Sequence, residues 1–115
     1  MQFKFPLRDK AGKEIIDHTV LLQALRAEKS GFFPVDVDGL WHNAIHFTDA
    51  AKDELAVDGS VACIADGEVL AYRLPATYKQ SSVGGVDYSY SNAFTLVRHV
   101  YETPKGNILV FFSLY

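Results

Sequence analysis

Two histidines four residues apart, His42 and His46, are the residues of this sequence most suited to chemistry. Neutral imidazoles are good zinc ligands, with Zn–N distances near ~2.0 Å. On a helix, positions i and i+4 share a face and reach one ion easily. On a straight strand the same spacing separates the two residues by about 13 Å, because each residue advances the chain by ~3.3 Å. Joint ligation from a strand therefore requires a bend, which we place at Asn43-Ala44.

Two ligands do not complete a zinc site, since a catalytic zinc takes three protein ligands and a water molecule. The further candidate ligands are the other two histidines and four aspartates: His18, His99, Asp36, Asp38, Asp49 and Asp66. His18 falls at a predicted helix start, where a surface position is the simpler interpretation. The alternative interpretation of His42 and His46 is a pair of partly buried histidines at a loop-to-strand junction.

A third histidine, His99, falls in a predicted strand, where it shares a face with Val97 and Tyr101. This position favours a histidine packed in the core or against a neighbouring strand. The functional alternative is a third zinc ligand or a general base.

The stretch containing Tyr88, Tyr90 and Asn92 is the candidate substrate-binding segment, because aromatic rings can stack on a sugar or a peptide. Exposed turn residues are the alternative interpretation. Other chemistry has no sequence signal. No glycine-rich phosphate loop follows a predicted strand, and no serine lies in a nucleophile-elbow context.

Composition limits the partners. The chain has 115 residues, of which 49% are hydrophobic, and a formal net charge of −3. No run of basic residues exceeds two, so nucleic acid and anionic membranes are not expected as partners. The single cysteine, Cys63, excludes an internal disulfide and a multi-cysteine zinc finger, and its apolar surroundings predict burial.

Targeting signals are also absent from the sequence. No apolar stretch approaches the ~18 residues of a membrane span. The first residues lack the apolar region and cleavage site of a signal peptide. We therefore expect a protein made in the cytoplasm, which would reach any site outside it by a signal-independent route.

The amino-terminal part of the chain predicts one helix. Residues 2–7 alternate as a short strand, and a turn follows at residues 10–13. The helix covers about residues 19–29, with Asp17 or Thr19 as its cap and Ser30-Gly31 as its stop.

The remainder predicts strands. Residues 61–65 and 68–74 flank Asp66-Gly67, which favours a type I′ hairpin, and Asp58-Gly59 marks another turn. Residues 76–93 have no core pattern and are interpreted as a long loop. Residues 94–102 and 108–115 form a second hairpin. The prediction is a single mainly β (α+β) domain over residues 1–115, with one amino-terminal helix and a small antiparallel sheet.

The order of these motifs carries a resemblance. Trp41, His42 and residues 43–47 precede a segment in which Gly59, Val61, Ala65-Asp66-Gly67 and Val69 fall close to a family pattern. Residues 40–115 resemble the front half of the lysostaphin/LytM-type zinc peptidases, which cleave peptidoglycan cross-bridges and stem peptides. Residues 1–39 lie outside the match, as an amino-terminal extension.

The resemblance implies a lysostaphin-like, barrel-sandwich type of sheet and a zinc ion. His42 would be the first ligand, and His46 would replace the family's ligand aspartate. In the family, the catalytic histidine and the last ligand come later in the chain, but no histidine follows His99. We therefore expect this chain to hold only the amino-terminal half of such a domain and to be inactive alone. A missing carboxy-terminal part or a partner would complete its apolar final strand.

Two functions remain open at this point. One is a zinc-dependent peptidoglycan hydrolase domain (endopeptidase or amidase) of an antibacterial effector exported by type VI secretion. The other is an inactive binding module of the same fold, which docks cell wall, an immunity protein or secretion machinery. Metal content separates them, and with two ligands we expect weak or substoichiometric zinc.

Overall fold

The computed structural model describes residues 1–48, 50–51, 55 and 60–115. The predicted turn at Asp58-Gly59 and the candidate ligand Asp49 lie outside the described residues. The chain divides into two compact units. We call Phe3–Ile64 the helix unit, and Met1–Gln2 together with Ala65–Tyr115 the sheet unit.

The helix unit contains α1, which spans His18–Ala27. Asp17 is the cap: its Oδ1 accepts a hydrogen bond from the backbone N–H of Thr19 at 2.8 Å. The helix ends two residues before the predicted end, where the Glu28 N–H donates to the Leu25 carbonyl. Its fully buried residue, Ala24, packs with other apolar side chains of the unit: Leu7, Ile15, Ala51 and Leu55, with Phe5, Val20 and Phe47 at the margin.

The strand predicted over residues 2–7 is absent, and this prediction was wrong. Single hydrogen bonds take its place: the Lys4 N–H donates to the Ile64 carbonyl, and the Pro6 carbonyl accepts from the Ala62 N–H. Because Pro6 has no N–H, it interrupts a continuous ladder. The turn that follows is confirmed, since the Asp9 N–H bonds the Lys13 carbonyl at 2.9 Å.

The sheet unit contains five strands: β1 (Glu68–Arg73), β2 (Lys79–Val83), β3 (Val86–Tyr90), β4 (Phe94–Glu102) and β5 (Ile108–Leu114). The larger sheet is antiparallel in the order β1-β4-β5, and β2 pairs with β3 in a separate two-stranded sheet. The β4–β5 hairpin confirms the prediction, with His99 opposite Phe111. The mainly β fold class is confirmed as well: five strands in two small antiparallel sheets and one helix are seen among the described residues.

The hairpin predicted at Asp66-Gly67 does not form. Residues 60–63 have no regular structure, and β1 pairs with β4 instead. The backbone of β4 approaches Gly67 closely: a Cβ there would lie 2.6 Å from Val97 Cγ1 and 2.7 Å from the Arg98 carbonyl oxygen. This glycine therefore serves close packing rather than a positive-φ turn.

Two further expectations were wrong. Residues 76–93 are not one long loop, because most of them form β2 and β3 around Gly84-Gly85, whose φ values are +60° and +81°. These positive φ values suit a two-residue hairpin. Cys63 is exposed rather than buried, since its segment lies outside both sheets. None of the helices within the described ranges is long and apolar enough to cross a bilayer.

Candidate metal site

The segment that carries His42 and His46 is irregular and folds back along the chain before it. Its backbone bends at Ala44, within the pair where the sequence placed a bend. The His42 N–H donates to the Pro34 carbonyl at 2.9 Å, and the His46 N–H donates to the Gly31 carbonyl at 3.1 Å. Both histidines are thus anchored by backbone hydrogen bonds to residues 31–34, which we call the 31–34 loop.

This path brings the two imidazole rings together. Their centroids lie 4.7 Å apart, and the ring planes are nearly perpendicular at 88°. With Zn–N bonds of ~2.0 Å and tetrahedral angles, two imidazoles on one zinc ion have centroids roughly 5 Å apart. The separation of the rings therefore suits a shared metal ion.

A second feature concerns the Nε2 atom of His42. This nitrogen is buried, and no hydrogen-bond partner for it is found among the described residues. An unpaired buried polar atom costs about 1–3 kcal/mol relative to a satisfied one. His46, in contrast, is exposed. A metal ion is one group that would satisfy the buried nitrogen of His42.

The donor set is incomplete within the described part of the chain, which holds no group of three His, Cys, Asp or Glu side chains able to bind a metal ion. The imidazole pair therefore fits half of a zinc ligand set. It leaves further coordination positions for water or for groups outside these side chains.

Two candidate carboxylates nearby in sequence have local partners. Asp36 Oδ1 accepts from the backbone N–H groups of Gly31 and Val37, each at 2.8 Å. The hydrogen bond from Gly31 is the largest cause that holds the pKa of Asp36 below its ordinary value, followed by that from Val37; the charge of His42 contributes least. Asp38 Oδ1 accepts from the Leu40 N–H at 3.0 Å.

His99 belongs to the sheet unit and is fully buried. Its Nδ1 lies 2.9 Å from the Asp66 carbonyl oxygen, which can only accept, so Nδ1 carries the proton. Its Nε2 then accepts from the Ser113 hydroxyl at 2.7 Å. Both ring nitrogens are engaged, which agrees with a packed histidine. The fourth histidine, His18, is a surface residue, with a side chain 74% exposed.

The proposed substrate-binding tyrosines lie on β3. Tyr88 and Tyr90 are 44% and 42% exposed, and their ring centroids are 6.0 Å apart. Asn92 follows the strand, and its buried Oδ1 has no hydrogen-bond partner within the described residues. A pocket of about 190 Å³ adjoins this segment, with Tyr78 and Ser91 among its lining residues. No motif in the sequence indicated this pocket.

No family model, curated protein or solved structure matches this chain. The resemblance to the lysostaphin/LytM-type peptidases therefore stays a prediction, and function has to be argued from the histidine pair. The structure adds what the sequence did not single out, namely the backbone anchors of the pair in the 31–34 loop. Of the residues that anchor the pair, Gly31 was singled out in the sequence, as part of the predicted helix stop.

Proposed function

We propose that this chain is a zinc-dependent peptidoglycan hydrolase domain, acting as an endopeptidase or amidase, in which His42 and His46 are two of the metal ligands. The proposal rests on the distance of 4.7 Å between the ring centroids of the two imidazoles, which lie in a non-helical segment. The class of substrate comes from the resemblance of residues 40–115 to the peptidoglycan peptidases, and so does the role in a secreted antibacterial effector.

The chemistry of such a site belongs partly to the metal and partly to the chain. A zinc ion held by His42 and His46 would polarise the scissile carbonyl and lower the pKa of its bound water toward ~7. Among the described residues Nε2 of His42 has no hydrogen-bond partner, and hydrogen bonds to the 31–34 loop hold the backbone of both histidines. In the sheet unit, taken by itself, the exposed rings of Tyr88 and Tyr90 offer a separate stacking surface for a sugar or a peptide.

One observation favours the alternative, a binding module that docks cell wall, an immunity protein or secretion machinery without chemistry. The described residues supply no third ligand beside His42 and His46. Zinc binding separates the two functions, because only the hydrolase needs the imidazole pair to hold a metal ion.

Titration of the metal-free protein with zinc tests the site. Isothermal calorimetry is expected to show weak zinc binding, which His42→Ala and His46→Ala each weaken at least tenfold. His18→Ala is the matched control, since His18 is exposed and lies at the start of α1. Zinc affinity equal in wild type and His42→Ala, or no binding in wild type, would contradict the proposal.

Cosedimentation with purified cell-wall sacculi tests the substrate class. The hydrolase predicts that the bound fraction falls with a chelator and with His42→Ala, because a zinc ion held there would contact the scissile carbonyl. Binding that is indifferent to both changes supports the binding module instead. Failure to cosediment under any condition contradicts peptidoglycan as the ligand.

A further inference from the structure

We infer that Asp36 is a positioning residue for the His42–His46 pair, acting through the backbone of the 31–34 loop. The inference concerns the same zinc site and rests on the proposed function. Asp36 touches neither imidazole by a hydrogen bond in the structure. It acts on the loop whose carbonyl groups hold both histidines.

The first step is the dependence of the histidines on the loop. The Pro34 carbonyl accepts the N–H of His42, and the Gly31 carbonyl accepts the N–H of His46. Two of the loop's four residues therefore fix the backbone positions from which both imidazoles project. A change in the loop that displaces Gly31 relative to Pro34 therefore displaces the backbone of His46 relative to that of His42.

The second step is the dependence of the loop on Asp36. One oxygen, Oδ1, accepts from Gly31 at 2.8 Å, from Phe32 at 3.4 Å and from Val37 at 2.8 Å. The carboxylate thus ties the start of the loop to the chain that follows it.

The third step is the contact between Gly31 and His46. A Cβ on Gly31 would overlap the His46 imidazole, and the φ of Gly31 is +80°. The ring therefore lies directly against the backbone that Asp36 holds. A displacement of Gly31 moves His46, because the imidazole is in contact with Gly31 and because the backbone N–H of His46 donates to the Gly31 carbonyl.

The expected loss of zinc affinity follows from the behaviour of metal sites in general. Groups that orient metal ligands typically change metal affinity 10- to 100-fold when they are removed. Asp38 provides the comparison, because its hydrogen bond goes to Leu40 rather than to the 31–34 loop.

The experiment measures zinc affinity in Asp36→Ala, Asp36→Asn and Asp38→Ala. We expect Asp36→Ala to bind zinc at least tenfold more weakly than wild type. Asp36→Asn should stay within about threefold, because its amide Oδ1 accepts the same N–H groups. Asp38→Ala should match wild type. Equal zinc affinity in Asp36→Ala and wild type overturns the inference; so does an Asn variant as weak as the Ala variant, since charge rather than hydrogen bonding would then act.

A metal-free measurement separates this inference from the proposed function. In ¹H–¹⁵N spectra of the imidazoles, Asp36→Ala should move the His42 and His46 resonances and leave those of His18 and His99 in place. If wild type binds no zinc but these shifts occur, the proposed function fails while the positioning role stands. Unmoved resonances overturn the positioning role in either case.

If Asp36→Ala does not fold, a second pair of variants tests the third step, the contact between Gly31 and His46. Gly31→Ala and Gly12→Ala both place a side chain at a positive φ, of +80° and +72°. Space around Gly12 is open, whereas the new Cβ at Gly31 meets His46. We expect zinc affinity to fall at least tenfold in Gly31→Ala only, and equal affinities in the two variants contradict the inference.

Discussion

The imidazole of His99 and the hydroxyl of Ser113 form a partly buried hydrogen bond, with Nε2 and Oγ 2.7 Å apart. Ser113 lies on β5 opposite Val97, so the bond runs diagonally from β4 to the edge strand. The other ring nitrogen of His99 donates to the Asp66 carbonyl, just before β1. The ring also stacks on Phe111, with centroids 4.7 Å apart. One side chain thus joins the segment before β1 to β5.

Replacing Ser113 by alanine is expected to destabilise the sheet unit. The substitution leaves Nε2 of His99 buried without its donor, and an unsatisfied buried group of this kind costs about 1–3 kcal/mol. Urea unfolding followed by intrinsic fluorescence measures the change. The matched control is Ser82→Ala on β2, where the side chain is exposed and the expected change stays within about 0.5 kcal/mol. Equal midpoints for the two variants would show that the His99–Ser113 bond contributes nothing.

A comparable pair of variants tests the helix unit. Glu28 is only 7% exposed, and its carboxylate accepts from the backbone N–H of Thr48 at 2.8 Å and from the Thr48 hydroxyl at 2.7 Å. We expect Glu28→Ala to lower the free energy of unfolding by about 1–3 kcal/mol, because two donors lose their acceptor. In a double-mutant cycle with Thr48→Ala, the two losses should not add.

The exposed ion pair of the same unit serves as the control for that cycle. Lys4 Nζ lies 3.3 Å from Glu14 Oε2, and both side chains are nearly half exposed. Solvent screening limits such pairs to about 1 kcal/mol or less, so the Lys4–Glu14 cycle should show the smaller coupling in urea unfolding. A larger coupling for the exposed pair than for Glu28–Thr48 would reverse this ranking.

Two local signals in the sequence predicted local structure correctly. The Asp17 cap and the β4–β5 hairpin depend on residues close together in the chain, and both are present. The dipeptide Asp66-Gly67 misled, because the partner of β1 is β4, which follows more than twenty residues later. Nothing local to Gly67 indicates that the Arg98 carbonyl will lie against it. The β2–β3 hairpin was missed because β2, with the sequence KQSSV, lacks an alternating apolar pattern, although Val86, Tyr88 and Tyr90 of β3 alternate with polar residues.

The candidate site, too, was predicted from the sequence only in part. The spacing of His42 and His46 indicated a bend if the two were to share an ion, and the bend is at Ala44. The anchors of the pair could not be predicted, because carbonyl groups of the 31–34 loop supply them and every residue has a carbonyl group. Asp36 was visible only as one of several aspartates. Its role depends on which N–H groups the folded backbone presents to it.

The Asp17 cap gives α1 a defined dependence on pH. The backbone N–H of Thr19, with a smaller contribution from the Thr19 side chain, lowers the pKa of Asp17 below its ordinary value of 3.8. A carboxylate with a lowered folded-state pKa stabilises the fold fully above its unfolded-state pKa, and that stability is lost as the pH falls through the folded-state value. The contribution of the cap should therefore be constant near neutral pH and disappear in acid.

Asp17→Asn isolates this effect, because asparagine caps helices about as well as aspartate but does not titrate. We expect similar ellipticity at 222 nm for wild type and Asp17→Asn at neutral pH, and lower helicity in wild type as the pH falls below about 4. Acid effects on other groups occur in both proteins, so the difference between the two curves reports Asp17. Parallel curves down to about pH 2 would mean that the ionised carboxylate does not stabilise α1.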